Sequence, residues 1–206
     1  MADGLLVFAP LRAEAVAVGK RPGWTVIRSG MGPAYARIAA ARGLAVEARA
    51  VCVVGVCAAV SPGLRSGDVV CANELLPSRV AIDSTPLAEL MRRDGLRVHE
   101  GPLLSTDRIM GAADRRLHEG VLAVDMESAW LAAAAAGRPL AVVRIVVEEA
   151  NRNLVDPRTP VAGIKALRNL RRAAAALDEW ANATPAVGTR AYLDGDDGRR
   201  PQEVSA

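Results

Sequence analysis

The run Ala50-Val51-Cys52-Val53-Val54 carries no polar side chain on either face that a strand presents. Side chains alternate across a strand, so a strand of this composition has to be covered on both sides. Crossover connections between parallel strands place helices on both faces of a sheet and supply that cover. Residues 140–147, Leu140-Ala141-Val142-Val143-Arg144-Ile145-Val146-Val147, have the same character apart from one arginine. Short β runs at 5–9, 24–28 and 68–72 alternate with helical patterns at 11–18, 34–46 and 86–93. Pro33 stands at the start of the second helix, where the missing N–H costs nothing. Helical patterns at 112–119, 130–136 and 163–182, with strand material near Leu103 and at 121–124, complete the alternation. The predicted fold class is α/β, a single-domain three-layer α/β/α arrangement around a central mixed, mostly parallel sheet.

A chain of 206 residues is long enough to bury a sizeable core, and with only 3% aromatic residues that core must consist of Val, Leu, Ile and Ala. The domain is expected to occupy residues 1–183. From 184 to 206 Gly, Asp, Arg, Pro and Gln replace apolar residues, which predicts a disordered tail. The 26 basic residues are scattered among 23 acidic ones, which predicts a solvated surface and disfavours a nucleic-acid partner. Cys52, Cys57 and Cys71 are odd in number, lack CxxC spacing and lie in apolar runs. They are expected to be reduced core thiols of a cytoplasmic protein. With His99 and His118 as the only histidines, no metal centre is expected. Neither a basic leader nor an apolar run of membrane-spanning length is present, so no membrane insertion is expected.

Two features resist explanation by packing. Asp125-Met126-Glu127 follows the apolar residues Ala123-Val124 and precedes an alanine-rich helix pattern that Gly137-Arg138-Pro139 ends. This places carboxylates at a strand-to-helix turn, on the edge of a parallel sheet where open α/β folds bind ligands. Arg144 interrupts an otherwise apolar strand, and a buried arginine needs an anionic partner. Each has a plainer alternative: Glu127 as an acid at a helix N-terminus, worth ~0.3–1 kcal/mol, and Arg144 as an edge residue facing water.

Three ordered blocks then carry a resemblance. They are Ser29-Gly30-Met31-Gly32-Pro33-Ala34-Tyr35-Ala36, the stretch from Val51 to Val70 containing Gly55-Val56-Cys57-Ala58-Ala59 and Gly67-Asp68, and Ala123-Val124-Asp125-Met126-Glu127-Ser128. Together they resemble the nucleoside phosphorylase and nucleosidase superfamily, which cleaves the N-glycosidic bond of nucleosides. The resemblance implies a purine (adenine) nucleoside substrate, with Glu127 gripping the ribose hydroxyls, Met126 packing against the sugar and Arg144 beside them. It implies that Glu14, in Leu11-Arg12-Ala13-Glu14, orients an attacking water. The family's Ser-Asp pair after the last strand is here Val147-Glu148, which leaves Glu148 as the acid for the departing base. Asp107, in Ser105-Thr106-Asp107, is a second candidate acid, and Glu14, Glu148 and Asp107 make up the expected catalytic set.

The glycine-rich loop departs from the family. Val56 replaces a Ser or Thr, Ala58-Ala59 replace two glycines, and Val53 stands where some members carry a phosphate-binding arginine. Backbone N–H groups at Gly55 and Val56 remain available to an anion, so water and phosphate both stand as nucleophiles. No organic cofactor is implied, and phosphate enters only as a candidate co-substrate. The motif combination resembles most the hopanoid-associated phosphorylase branch, which implies an adenosine with a large 5′ group such as adenosylhopane. A 5′-methylthioadenosine/S-adenosylhomocysteine nucleosidase and a non-catalytic nucleoside-binding protein are the alternatives. Members of the superfamily are usually oligomers, so a homo-oligomer, dimer or higher, is expected.

Overall fold

Strand β3 (Ala50–Ala59) is the axis of the molecule, and its side chains divide between two cores. Ala50, Cys52 and Val54 enter one core, Val51 and Val53 the other, as the absence of polar residues requires. The computed structural model describes residues 4–151 and 159–185. Around β3 lie β1 (Leu5–Ala9), β2 (Trp24–Arg28), β4 (Val69–Leu76), β5 (Val80–Ala81), β6 (Val98–Ser105), β7 (Ala123–Asp125) and β8 (Leu140–Glu148).

The order across the sheet is β2-β1-β3-β7-β6-β4-β5, and β8 pairs with both β3 and β4. The path β3-β8-β4-β6-β7 therefore returns to β3 and closes the sheet on itself. Most pairings are parallel, while β3–β7, β4–β5 and β4–β8 are antiparallel. One edge of β3 changes partner along its length: β1 pairs with it up to Val53, and β7 takes over at Ala58. Gly55, Val56 and Cys57 lie in the gap between the two.

Helices cover both faces. The first core packs α1 (Arg12–Val18), α3 (Thr85–Arg93) and α6 (Thr159–Ala183) on the sheet through Val18, Leu87, Met91, Leu170, Leu177 and Trp180. The second packs α2 (Pro33–Leu44) and α5 (Ser128–Leu131) through Ala36, Ala39, Ala40 and Leu131 against Leu6, Phe8 and Val142. Each fully buried Val or Leu contributes about 1.5–3 kcal/mol, and small alanines on α2 let that helix lie close to the strands. The remaining helix, α4 (Ala112–Arg115), is a single turn.

This is the expected three-layer α/β/α architecture, with corrections to its elements. The strand expected at 50–54 continues through Gly55 to Ala59 because β7 and β8 supply ladder partners beyond the glycine. The helix expected at 112–119 stops at Arg115 and passes into a turn before Gly120. The one expected at 130–136 is an α-turn followed by a 3-10 turn at Ala132–Ala135, whose last carbonyls Arg138 caps. The final helix begins at Thr159 instead of 163. The tail expected at 184–206 lies outside the described residues beyond Pro185. All three cysteines are free and buried, and no described helix is long and apolar enough to cross a membrane.

Candidate active site

The ends of β1, β3, β6, β7 and β8 meet around a cavity of about 400 Å³. Glu14, Val56, Met126, Glu127 and Glu148 all line it, so most of the residues marked in the sequence converge there.

Glu14 projects from α1, the first helical turn after β1, and is 1% exposed. Its Oε2 accepts the Leu11 N–H at 2.7 Å and its Oε1 the Val56 N–H at 2.8 Å. The second bond uses a backbone donor in the gap on the edge of β3, so the change of partner along that strand is what seats Glu14. Burial raises the Glu14 carboxyl above its ordinary range, against the pull of the Arg144 charge and the two N–H donors.

Glu127 is held at the junction of β7 and α5, where its Oε1 accepts the Gly32 N–H at 2.9 Å. Gly32, at φ +90°, takes a backbone conformation that suits glycine, which aims its N–H across to the carboxylate. A side chain at this position would also approach Met126 Cε. Burial raises the Glu127 carboxyl, opposed by Arg144 and assisted by neighbouring Asp125.

Arg144 is fully buried on β8, opposite Gly55 in the ladder. Its Nη2 lies 2.6 Å from Asp125 Oδ2 and 3.5 Å from Glu127 Oε2, and both Nε and Nη2 donate to Ser128 Oγ. Burial works against the guanidinium charge, but Asp125, Glu127 and Glu14 outweigh it and keep the arginine firmly protonated. Nη1 finds no acceptor among the described residues and points across Gly55 toward Glu14. A Cβ on Gly55 would sit 2.4 Å from that Nη1 and 2.8 Å from Glu14 Oε1. Gly55 is thus a spacer whose missing side chain leaves room between a buried cation and a buried carboxylate. The plainer reading of Arg144 required a side chain facing water, and it is fully buried; Glu127 does stand at the N-terminus of α5, but its carboxylate accepts the Gly32 N–H and caps none of the helix's own N–H groups.

Asp125, for which the sequence suggested no separate role, is the principal partner of Arg144. It also accepts the Ser105 and Ser128 hydroxyls and the N–H groups of Glu127 and Ser128. These bonds satisfy the first donors of α5 and lock the turn that carries Glu127.

Glu148, at the end of β8, faces the cavity from another side. Its Oε2 pairs with Arg115 Nη1 at 2.9 Å, and burial raises its carboxyl while Arg115 pulls it back. Arg115 is the second residue the sequence did not mark, because one arginine in Asp114-Arg115-Arg116 looks like any surface arginine. Asp107 is exposed on the loop between Thr106 and Arg108, which line the cavity while its own side chain does not. Val53 is buried in the core and Val56 meets the cavity through its side chain, so neither position supplies a hydrogen-bonding side chain.

Carboxylates buried against one arginine, where parallel strands end beside a cavity, define an enzyme of the α/β class. The family model described as the Phosphorylase superfamily matches residues 12–179, and the chain belongs to that superfamily. No curated protein matches the chain by sequence. Among solved structures it is similar to S-adenosylhomocysteine nucleosidase from Streptococcus pyogenes, with 18% identity over 88% of this chain and 97% of that one and a TM-score of 0.70. It is similar to the 5′-methylthioadenosine/S-adenosylhomocysteine nucleosidase of Campylobacter jejuni, with 14% identity over 85% and 99% and a TM-score of 0.72. A futalosine hydrolase of Helicobacter pylori shares 16% identity over 86% and 97%, with a TM-score of 0.69. At these identities the likeness establishes the fold.

Proposed function

We propose that this protein cleaves the N-glycosidic bond of a purine nucleoside, an adenosine carrying a 5′ substituent, with water as nucleophile. The observation that carries this reading is the arrangement about Gly55: Glu14 and the free N–H of Arg144 face each other beside Glu127, at a cavity that also contains Glu148.

In the reaction, Glu127 accepts hydrogen bonds from the ribose hydroxyls, and its charge favours the positive character that develops at the anomeric carbon. Glu14 takes a proton from water as the new C–O bond forms. The C–N bond breaks with its electron pair passing to the base, which receives a proton from Glu148. General acid–base help of this kind contributes about 10²–10⁴-fold. Asp125 and Arg144 hold the turn and the charge balance. Water is favoured over phosphate because the three carboxylates Glu14, Asp125 and Glu127 face one guanidinium, an environment that repels a dianion. Val53 and Val56 offer it no side-chain donor.

The cavity volume suits a nucleoside and is small for anything much larger. At its rim Leu11, Met31 and Ile109 are 40%, 54% and 57% exposed, an apolar edge on which a bulky hydrocarbon 5′ group such as that of adenosylhopane can lie. Tyr35 and Ile38 on α2 are further exposed apolar side chains, which supports self-association to a homo-oligomer in a cytoplasmic enzyme. Light scattering on purified protein reads the oligomer directly.

The test is adenine release from adenosine, 5′-methylthioadenosine and a 5′-alkyl adenosine, with and without phosphate. Release without phosphate, fastest for the apolar 5′ group and lost in Glu127→Ala, is the expected outcome. A strict phosphate requirement would make the enzyme a phosphorylase. Binding with no release from any substrate would leave a nucleoside-binding protein.

A further inference from the structure

Glu148 is gripped from behind. Arg115 Nη1 donates to its Oε2 at 2.9 Å and to the carbonyl of Met110 at 2.9 Å, while Nη2 donates to the carbonyl of Glu149 at 3.2 Å. One fully buried guanidinium therefore joins the end of β8 to the loop 106–111, part of which forms a wall of the cavity. Arg115 does not itself line that cavity. A helix of one turn contributes little stability of its own, so α4 serves chiefly to deliver this side chain. A planar guanidinium with three fixed acceptors orients a carboxylate in a way that a flexible ammonium does not.

We propose that Arg115 is a positioning residue of the reaction, holding Glu148 toward the leaving base and stabilising the carboxylate formed when Glu148 gives up its proton. The inference rests on Glu148 being the leaving-group acid. With Oε2 engaged by Arg115, Oε1 is the oxygen left for the base. As the C–N bond breaks, its electron pair moves onto the base, the proton passes from Glu148 to the base, and the negative charge left on Glu148 lies beside the guanidinium. Attraction between them grows as the proton leaves, so it favours the transition state over the bound substrate. Glu14, Arg108, Asp125, Glu127 and the neutral Cys57 thiol share the cavity, and among the described residues Arg115 is the charge that pulls on the Glu148 carboxyl.

The test is a double-mutant cycle on Arg115→Met and Glu148→Gln, with Arg115→Lys as the conservative variant, reading kcat/KM for adenine release against pH. An acid must be protonated to act, so the rate falls as pH rises through the Glu148 titration. Removing the cation moves that alkaline limb to higher pH. Arg115→Met is expected to lose about 10²-fold in kcat/KM, to shift the limb upward, and to cost nothing further once Glu148 is Gln. Arg115→Lys should return the limb toward its wild-type position. Additive losses, or a folded Arg115→Met enzyme with an unmoved limb, would overturn the role. If Arg115→Met alone does not fold, the lysine variant and the neutral double variant, which leaves no buried unpaired charge, carry the test. The same cycle on adenine affinity by calorimetry keeps the two readings apart. A protein that binds adenine without releasing base defeats the parent reading, and a cycle without coupling defeats this one. A protein that neither releases nor binds adenine defeats both.

Discussion

Replacing Gly55 by alanine tests the geometry of the site without altering any charged group. The added Cβ would lie 2.4 Å from Arg144 Nη1 and 2.8 Å from Glu14 Oε1. Ordinary contact begins near ~3.5 Å, so the guanidinium has to retreat by about 1 Å and the carboxylate by rather less. Neither is free to do so. Glu14 is fixed by two backbone N–H groups, and Arg144 by Asp125 and the Ser128 hydroxyl. Overpacking of a fixed core costs ~1–3 kcal/mol, and strain on a hydrogen bond to a charged acceptor adds part of its ~1.5–3 kcal/mol. A loss of about 2–4 kcal/mol in urea unfolding follows from these terms. Turnover should fall at least ~10²-fold, the usual consequence of a misplacement of about 1 Å. Base release and unfolding are measured on the same preparation. A Gly55→Ala protein that keeps activity within about threefold would refute the argument, because Glu14 and Arg144 would then not need their present separation.

Three further outcomes are expected. Asp125→Ala strips Arg144 of its closest carboxylate at a site where both side chains are 1% exposed, and should cost about 3–5 kcal/mol by denaturant unfolding; a loss below about 1 kcal/mol would show that Glu127 suffices as counter-ion. Because burial raises Glu14 and Glu127 above 4.5, the native state binds more protons than the unfolded chain between that value and the raised ones. Stability from these groups is therefore fully present below 4.5 and is lost as pH rises through the raised pKa values, whereas activity that needs ionised Glu14 rises over the same window. Melting temperature and kcat/KM compared across that range should show opposite trends from these residues, and an acid limb of the rate at or below the ordinary carboxylate value would contradict the role of Glu14. Glu148→Gln should reduce turnover more than Asp107→Asn, since the second carboxylate is exposed; the reverse order would transfer the acid role to Asp107.

Much of the architecture was legible because its strands are apolar on both faces. Residues 5–9 and 140–147 lie within or match observed strands since no other element would bury two opposite faces of such runs, while 24–28 forms a half-exposed strand. The second half of β3 was hidden by Gly55, which breaks the apolar pattern at the point where the strand changes partner. The helix at 112–119 was overestimated because its composition suits a helix while its tertiary role needs a single turn. In the site, Glu14, Glu127 and Arg144 could be singled out because a motif or an interrupted apolar run marked them. Asp125 and Arg115 could not, because their importance arises from partners 19 and 33 positions away, a matter of strand register that local spacing does not encode.

The closure of the sheet by β8 has a consequence for how the protein comes into being. The strand that completes the ring also carries Arg144 and Glu148, so a chain interrupted before residue 140 possesses Glu14, Asp125 and Glu127 but lacks the cation that lets them be buried together. Mutual repulsion and desolvation oppose their assembly until that strand arrives. Partially synthesised or truncated chains are therefore unable to form a weakened version of the pocket. The charged groups of the pocket can be buried together only once β8 is in place.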